Sequence, residues 1–216
     1  MSVSENLLKF KSRLPDHVTL IAVSKTHPAA AVQEAYNSGH LDFGENRVQE
    51  LVPKYEELPK EIRWHLIGHL QTNKVKYVAP FVYMIHSVDS EKLLIEISKQ
   101  AVKCNRVIPV LLQIFIAQEE TKFGFSEEEV HSTVQKYKTE SFPGVEIHGF
   151  MGMATNTENP DQVRAEFRKL RALYTEISTV IPTMKTLSMG MSSDWKIAIE
   201  EGSNMIRIGT AIFGHR

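Results

Sequence analysis

Three groups of residues in this 216-residue chain could do chemistry. The first is Lys25, at the end of the run VTLIAVSK (18–25). An unbroken β-branched and apolar run reads as a strand buried on both faces, and a lysine closing it sits at the C-terminal mouth where α/β folds collect their chemistry. The second is Arg207, between Ile206 and Ile208 in MIRI (205–208). Side chains alternate along a strand, so if the isoleucines face outer helices the guanidinium faces the sheet's interior, where it needs an inward carboxylate or a ligand. The third is the pair of small-residue turns SMGMSS (188–193) and RIGT (207–210), whose Gly, Ser and Thr allow backbone amides to approach an anion. Plain capping of a helix by Ser192 or Ser193, with Gly209 as a packing glycine, is the simpler reading of those turns. Asp194 would repel an anion there unless it points away.

A lysine, an interior arginine and a phosphate cradle on one face suit pyridoxal 5'-phosphate (PLP). Its aldehyde forms a Schiff base with lysine, its ring nitrogen needs a partner and its phosphate needs an anchor. Asn46 has two readings. With Gln49 it makes a capping box for a helix, or its side chain donates to the cofactor's phenolic oxygen.

The elements that must position these residues alternate regularly. A first helix over Glu5 to Arg13, capped by Ser4, precedes the strand ending at Lys25. Strands are then expected at Leu41–Gly44, Arg63–Gly68, Val82–His86, Val107–Ile116, Val145–Phe150, Thr186–Met189 and Met205–Ile208. Helices are expected between them at Pro28–Ser38, Glu45–Leu58, around Thr72–Val78, and at Ser90–Lys103, Ser126–Lys138, Asn159–Val180 and Ser193–Glu201. Eight such units predict a single TIM (β/α)8 barrel over residues 1–216, with no linker or boundary. No Gly-rich dinucleotide turn follows the first strand, which disfavours an open doubly wound sheet.

The strand ends would then gather Ser24-Lys25-Thr26, Gly44-Glu45-Asn46-Arg47, Gly68 to Gln71, Ser87-Val88-Asp89, Lys122-Phe123-Gly124, Met151-Gly152-Met153, Met189 to Ser193 and Gly209-Thr210. His65 and His69 straddle a strand end and lack the HExxH context, so they read as other than metal ligands. Met151, Met153, Met189 and Met191 read as packing at the barrel mouth, and Glu127 to Glu129 as the solvated first turn of a helix.

Composition narrows the class. Hydrophobic residues are 42% and charged residues 24%, which excludes a disordered chain, and a net charge of -1 excludes a generally basic nucleic-acid-binding surface. The single cysteine, Cys104, suits a reducing compartment. No signal peptide or membrane-length apolar run is evident, so a soluble cytoplasmic protein is expected.

The blocks AVSKTHP (22–28), FGENRVQE (43–50), WHLIGHLQTNK (64–74), TKFGF (121–125), HGFMGMAT (148–155), LSMGMSSDW (187–195) and RIGTAIFG (207–214) run in order through nearly the whole chain. In them the sequence resembles the YggS/PROSC family, the pyridoxal phosphate homeostasis proteins. The resemblance implies a barrel like the N-terminal domain of alanine racemase, with PLP on Lys25. It also implies Arg207 at the pyridine nitrogen, Asn46 beside the ring, and the phosphate on Ser192 and the Gly209-Thr210 backbone. It further implies a carrier without catalysis of its own, which buffers PLP or delivers it to apo-enzymes and affects vitamin B6 and amino-acid balance; a monomer is expected. Alanine racemases bring a catalytic tyrosine from a second domain, and no such domain is expected after Arg216. A weakly active racemase-like PLP enzyme is the alternative, and a Schiff-base aldolase acting on a phosphorylated sugar is a third reading.

Overall fold

The computed structural model describes residues 2–118 and 123–214. Within them β1 (Thr19–Val23), β2 (Asp42–Glu45), β3 (Arg63–Leu66), β4 (Met84–Val88), β5 (Ile108–Gln113), β6 (Val145–Met151), β7 (Thr186–Ser188) and β8 (Met205–Ile208) form a closed parallel barrel. Each strand pairs with the next, and β8 returns to β1 with Arg207 opposite Ile21. The expected TIM barrel is therefore the observed fold.

Outside the strands run α1 (Val3–Lys11), α2 (Ala29–Asn37), α3 (Val48–Glu57), α4 (Val75–Val78), α5 (Glu91–Lys103), α6 (Glu127–Thr139), α7 (Pro160–Ser178), α8 (Trp195–Glu200) and α9 (Thr210–Phe213). Strand parity separates two apolar layers. Leu20, Ala22, Phe43, Trp64, Leu66, Ile206 and Ile208 point outward onto Leu51, Leu93, Phe167 and other helix residues, while Ile21, Met84, Leu111, Met151 and Met205 fill the barrel itself. The four methionines read as mouth packing thus divide. Met151 lies in the barrel core and Met189 in the outer layer, while Met153 and Met191 reach the mouth.

Two irregularities adjust parity. Ile147 and Phe150 both face the helices although they are three residues apart, because β6 shifts register against β5 between Ile147 and Gly149. Ile85 and Val88 do the same in β4.

Several expected boundaries moved for local reasons. The first helix is capped by Ser2, not Ser4, because Glu5 completes a reciprocal capping box with Ser2. The fourth strand starts at Met84, since the Val82 N–H is already bonded to Val78 O at the end of α4. The fifth ends at Gln113; beyond it Phe115 N–H donates to Phe125 O and Phe125 N–H to Gln113 O, drawing the chain out of the barrel. The last full crossover helix begins at Trp195, with Asp194 rather than Ser192 or Ser193 at its cap.

Gly149 sits at φ 153, and a Cβ there would lie 1.7 Å from Thr186 O of β7. A Gly149→Ala substitution is expected to cost about 3 kcal/mol or more. The check is the urea midpoint of unfolding, which should fall sharply while a Gly39→Ala control in an open turn falls far less.

Candidate functional site

At the C-terminal end of the strands lies a cavity of about 490 Å³, lined by Val23, Lys25, Asn46, Ile67, Gly68, His69, Gln113, Phe123, Met153, Met191, Ser192, Ser193, Arg207, Gly209 and Thr210. All six residues singled out from the sequence therefore meet in one cavity. Its described lining includes the cations Lys25 and Arg207 and no carboxylate. Lys122, also placed at a strand end, lies outside the described residues.

Arg207 forms the floor. It is 4% exposed, and its described partners are neutral oxygens: Nη1 donates to Ser188 O (3.0 Å) and Ser188 Oγ (2.7 Å), and Nη2 to Gly152 O (3.1 Å). The inward carboxylate considered for it is not among these partners. Burial lowers its pKa to about 10, with the charge of Asp194 pulling the other way, so it stays protonated at neutral pH.

Lys25 occupies a tight turn. The His27 N–H bonds back to Ser24 O (3.1 Å), and Thr26 takes φ 66, as the third residue of a type II turn requires. Asn46 immediately follows β2. It does not form the expected capping box, since α3 is capped at Arg47 without a side-chain bond. A Cβ on Gly68 would lie 2.4 Å from Asn46 O, so the glycine lets the β3 end pass directly over Asn46 and fix it at the cavity wall.

The turn after β7 answers the difficulty posed by Asp194. The Met191 N–H donates to Asp194 Oδ1 (2.6 Å), which folds the carboxylate back onto its own loop and leaves Ser192 and Ser193 exposed at the tip. Across the mouth, Gly209 leads into α9 and Thr210 opens it.

The sequence reading placed Ser188 in a turn and Gly152 at a strand end but not their hold on Arg207, and it missed Gln113, whose Nε2 donates to Phe123 O (2.7 Å). Phe123 is exposed and stacks on His69 at 4.4 Å, and His69 Nδ1 meets Asp89 Oδ2 at 2.8 Å. Lys54 was also missed, although its spacing with Val48 and Leu51 places it on the buried face of α3.

Deeper in the barrel lies a polar column. His65 Nε2 meets Asp42 Oδ1 (3.1 Å) and His65 Nδ1 meets His86 Nε2 (2.9 Å), with Arg63 also on Asp42. Since a carboxylate only accepts, His65 donates to Asp42 through Nε2 and accepts from His86 through Nδ1, which leaves His86 Nδ1 buried without a partner among the described residues. Burial lowers the pKa of both histidines, against the pull of Asp42 in the case of His65. Burial opposes ionisation of Asp42 as well, but the His65 hydrogen bond and the Arg63 charge hold its pKa below the usual value.

The family-wide sequence pattern described as "Alanine racemase, N-terminal domain" matches residues 2–216. A pyridoxal phosphate homeostasis protein of Aquifex aeolicus is 45% identical over 199 residues, covering 91% of this chain and 86% of that one. The chain belongs to the pyridoxal phosphate homeostasis protein family. Among solved structures, PipY of Synechococcus elongatus with PLP bound is 37% identical with a TM-score of 0.90, covering 99% of this chain and 100% of that one. The alanine racemase of Bartonella henselae, solved with covalently bound pyridoxal phosphate, aligns with a TM-score of 0.76 at 16% identity. It covers 99% of this chain and 58% of that one, and that likeness is one of fold.

The buried histidines of this family member give its stability a pH dependence. Burial lowers the pKa of His40 from 6.5 to about 4, outweighing the carbonyl of Asp42 that pairs with its Nε2 at 2.9 Å. Between those values the unfolded chain carries a proton that the folded chain does not, so stability is full above about pH 6.5 and falls as pH drops toward 4. A His40→Gln variant, which keeps a donor for Asp42 O, should lose about 2 kcal/mol of that pH-dependent change, measured by urea unfolding at pH 7 and pH 4.5.

Proposed function

We propose that this protein binds PLP in the cavity at the strand ends, as a Schiff base on Lys25, and holds it as a carrier rather than turning over a substrate. The observation that carries the reading is the cavity's charge: two cations and, among the described residues, no carboxylate, opposite a turn whose one acid is bonded to its own backbone. That setting suits a phosphate ester carrying close to two negative charges. A volume of about 490 Å³ accommodates a cofactor of this size.

The roles follow from position. Lys25 supplies the amine, and Arg207 faces the ring nitrogen. Asn46 stands beside the ring with a side-chain donor for the phenolic oxygen. Ser192 gives a hydroxyl to the phosphate, and the Gly209 and Thr210 backbone amides give N–H donors. When bound, PLP supplies an electron sink whose strength depends on protonation of its ring nitrogen. A guanidinium fixed there by three hydrogen bonds disfavours that proton, which supports storage over catalysis. The PLP bound to PipY, at 37% identity over nearly the whole chain, supports the cofactor assignment.

PLP-dependent apo-enzymes are the proposed recipients, and the proposal extends to a monomer acting in the cytoplasm, a compartment that a lone cysteine suits. On the described residues, no helix is long and apolar enough to cross a membrane.

The test is the absorption spectrum of the purified protein before and after borohydride, with mass spectrometry of the peptide containing Lys25. The expected result is a bleached near-ultraviolet or visible band and a reduced pyridoxyl adduct on Lys25, both absent from Lys25→Ala. A colourless protein that takes up no added PLP overturns the reading. An adduct on a different lysine overturns the role given to Lys25.

A further inference from the structure

The turn that carries Lys25 is held from outside the barrel by one helix face. Glu50 and Lys54 lie four residues apart on α3, so both point the same way. Glu50 Oε2 accepts from the Thr26 N–H at 2.6 Å. Lys54 Nζ donates to Ser24 O at 2.9 Å and to Glu45 Oε1 at 2.5 Å, and the same carboxylate oxygen accepts from Ser24 Oγ at 2.7 Å. Ser24 N–H is tied to Gly44 O of β2. The residues on both sides of Lys25 are thus bonded to α3 and β2, while the Lys25 side chain projects into the cavity they leave open.

We propose that Glu50 and the buried Lys54–Glu45 pair are positioning residues for Lys25, holding its turn so that the amine meets the aldehyde of PLP. The inference rests on the PLP reading above and deepens it. Two observations separate it from ordinary packing. Glu45 is fully buried and its Oε2 has no hydrogen-bond partner among the described residues. A buried pair left incompletely satisfied is a poor source of stability compared with apolar side chains of the same volume, so its retention needs another reason. The second is Thr26, a β-branched residue held at φ 66, a conformation that such residues avoid. Glu50 accepts from the N–H of this same residue, so the bond ties α3 to the strained position of the turn carrying Lys25.

The role predicts a split between covalent and non-covalent binding. Loosening the turn lets the Lys25 amine sample orientations that miss the aldehyde, but leaves the ring and phosphate contacts in place. The experiment uses the full chain and two ligands: PLP, and pyridoxine 5'-phosphate, which carries an alcohol in place of the aldehyde and forms no Schiff base. The variants are Glu50→Ala, on the partly exposed member, and the double variant Glu45→Gln with Lys54→Met, which removes both buried charges together. Glu50→Gln, which keeps an acceptor for Thr26 N–H, is the conservative rescue. Dissociation constants are read by absorption for PLP and by calorimetry for the alcohol, with thermal unfolding confirming that each variant is folded.

The expected result is a loss of about tenfold in PLP affinity for Glu50→Ala and for the double variant, with pyridoxine 5'-phosphate affinity unchanged and Glu50→Gln close to wild type. Equal weakening of both ligands assigns the residues to general site integrity and overturns the proposal. Unchanged PLP affinity in both variants, against a wild type that binds it, overturns the proposal while leaving the PLP reading intact. A wild-type chain that takes up no PLP removes that reading, and this inference with it.

Discussion

The buried guanidinium of Arg207 is the constraint around which the upper barrel is arranged. Taking a full positive charge out of water costs several kcal/mol even after relaxation, and the cost is met here by oxygens that carry no formal charge: the Ser188 and Gly152 carbonyls and the Ser188 hydroxyl. These three contacts satisfy the hydrogen-bonding geometry of two guanidinium nitrogens but bring no formal negative charge, which Asp194 supplies from the neighbouring turn. The cavity above it gives no compensation either, since its described lining holds a second cation and no acid. Under the PLP reading, an anion entering the cavity would add to the compensation that Asp194 provides.

The lower barrel solves the same problem differently. There the polar groups pair with each other: Asp42 takes His65 on one oxygen and Arg63 on the other, and His65 hands its second nitrogen to His86. Neutral imidazoles and a paired carboxylate are a cheaper interior than a lone cation, and the apolar layer of Ile21, Met84, Leu111, Met151 and Met205 packs around them. The two ends of one barrel are thus differently committed. The bottom pairs its charges with one another, leaving only Arg63 Nε and His86 Nδ1 of this column without a partner among the described residues, while the described lining at the top has cations and no acid.

Much of this was legible because the informative residues broke a local pattern. A lysine closing an apolar run and an arginine between two isoleucines are expensive exceptions, and both proved to face the same cavity. The barrel was legible from the repeating strand and helix rhythm. What was not legible depended on hydrogen bonds made across the chain. The start of β4 was misplaced because the end of α4 had already used the Val82 N–H, and the end of β5 because Phe125 draws that segment away. Asn46 looked like a helix cap, but β2 continues through Glu45 and Asn46 belongs to the strand end instead. Ser192 and Ser193 looked like caps too, until the Asp194 side chain closed the turn they sit on. Ser188 and Gly152 gave no sign of their role, because an acceptor carbonyl has no sequence signature.

A shared fold does not carry its chemistry with it. The alanine racemase of Bartonella henselae shares the architecture at 16% identity, and at that distance the architecture says nothing about turnover. Under the PLP reading, a racemase-like reaction would need the cofactor ring to accept electron density, most readily with its nitrogen protonated. A guanidinium held beside that nitrogen, protonated at neutral pH with its pKa near 10, sets two positive charges side by side in a buried site if the ring takes a proton. It can instead donate a hydrogen bond to the unprotonated nitrogen, which stabilises the ring in its less reactive form. Under that reading, the charge that attracts an anionic cofactor would also weaken the electron sink the cofactor could offer, which supports the proposal that the site holds PLP rather than turning over a substrate.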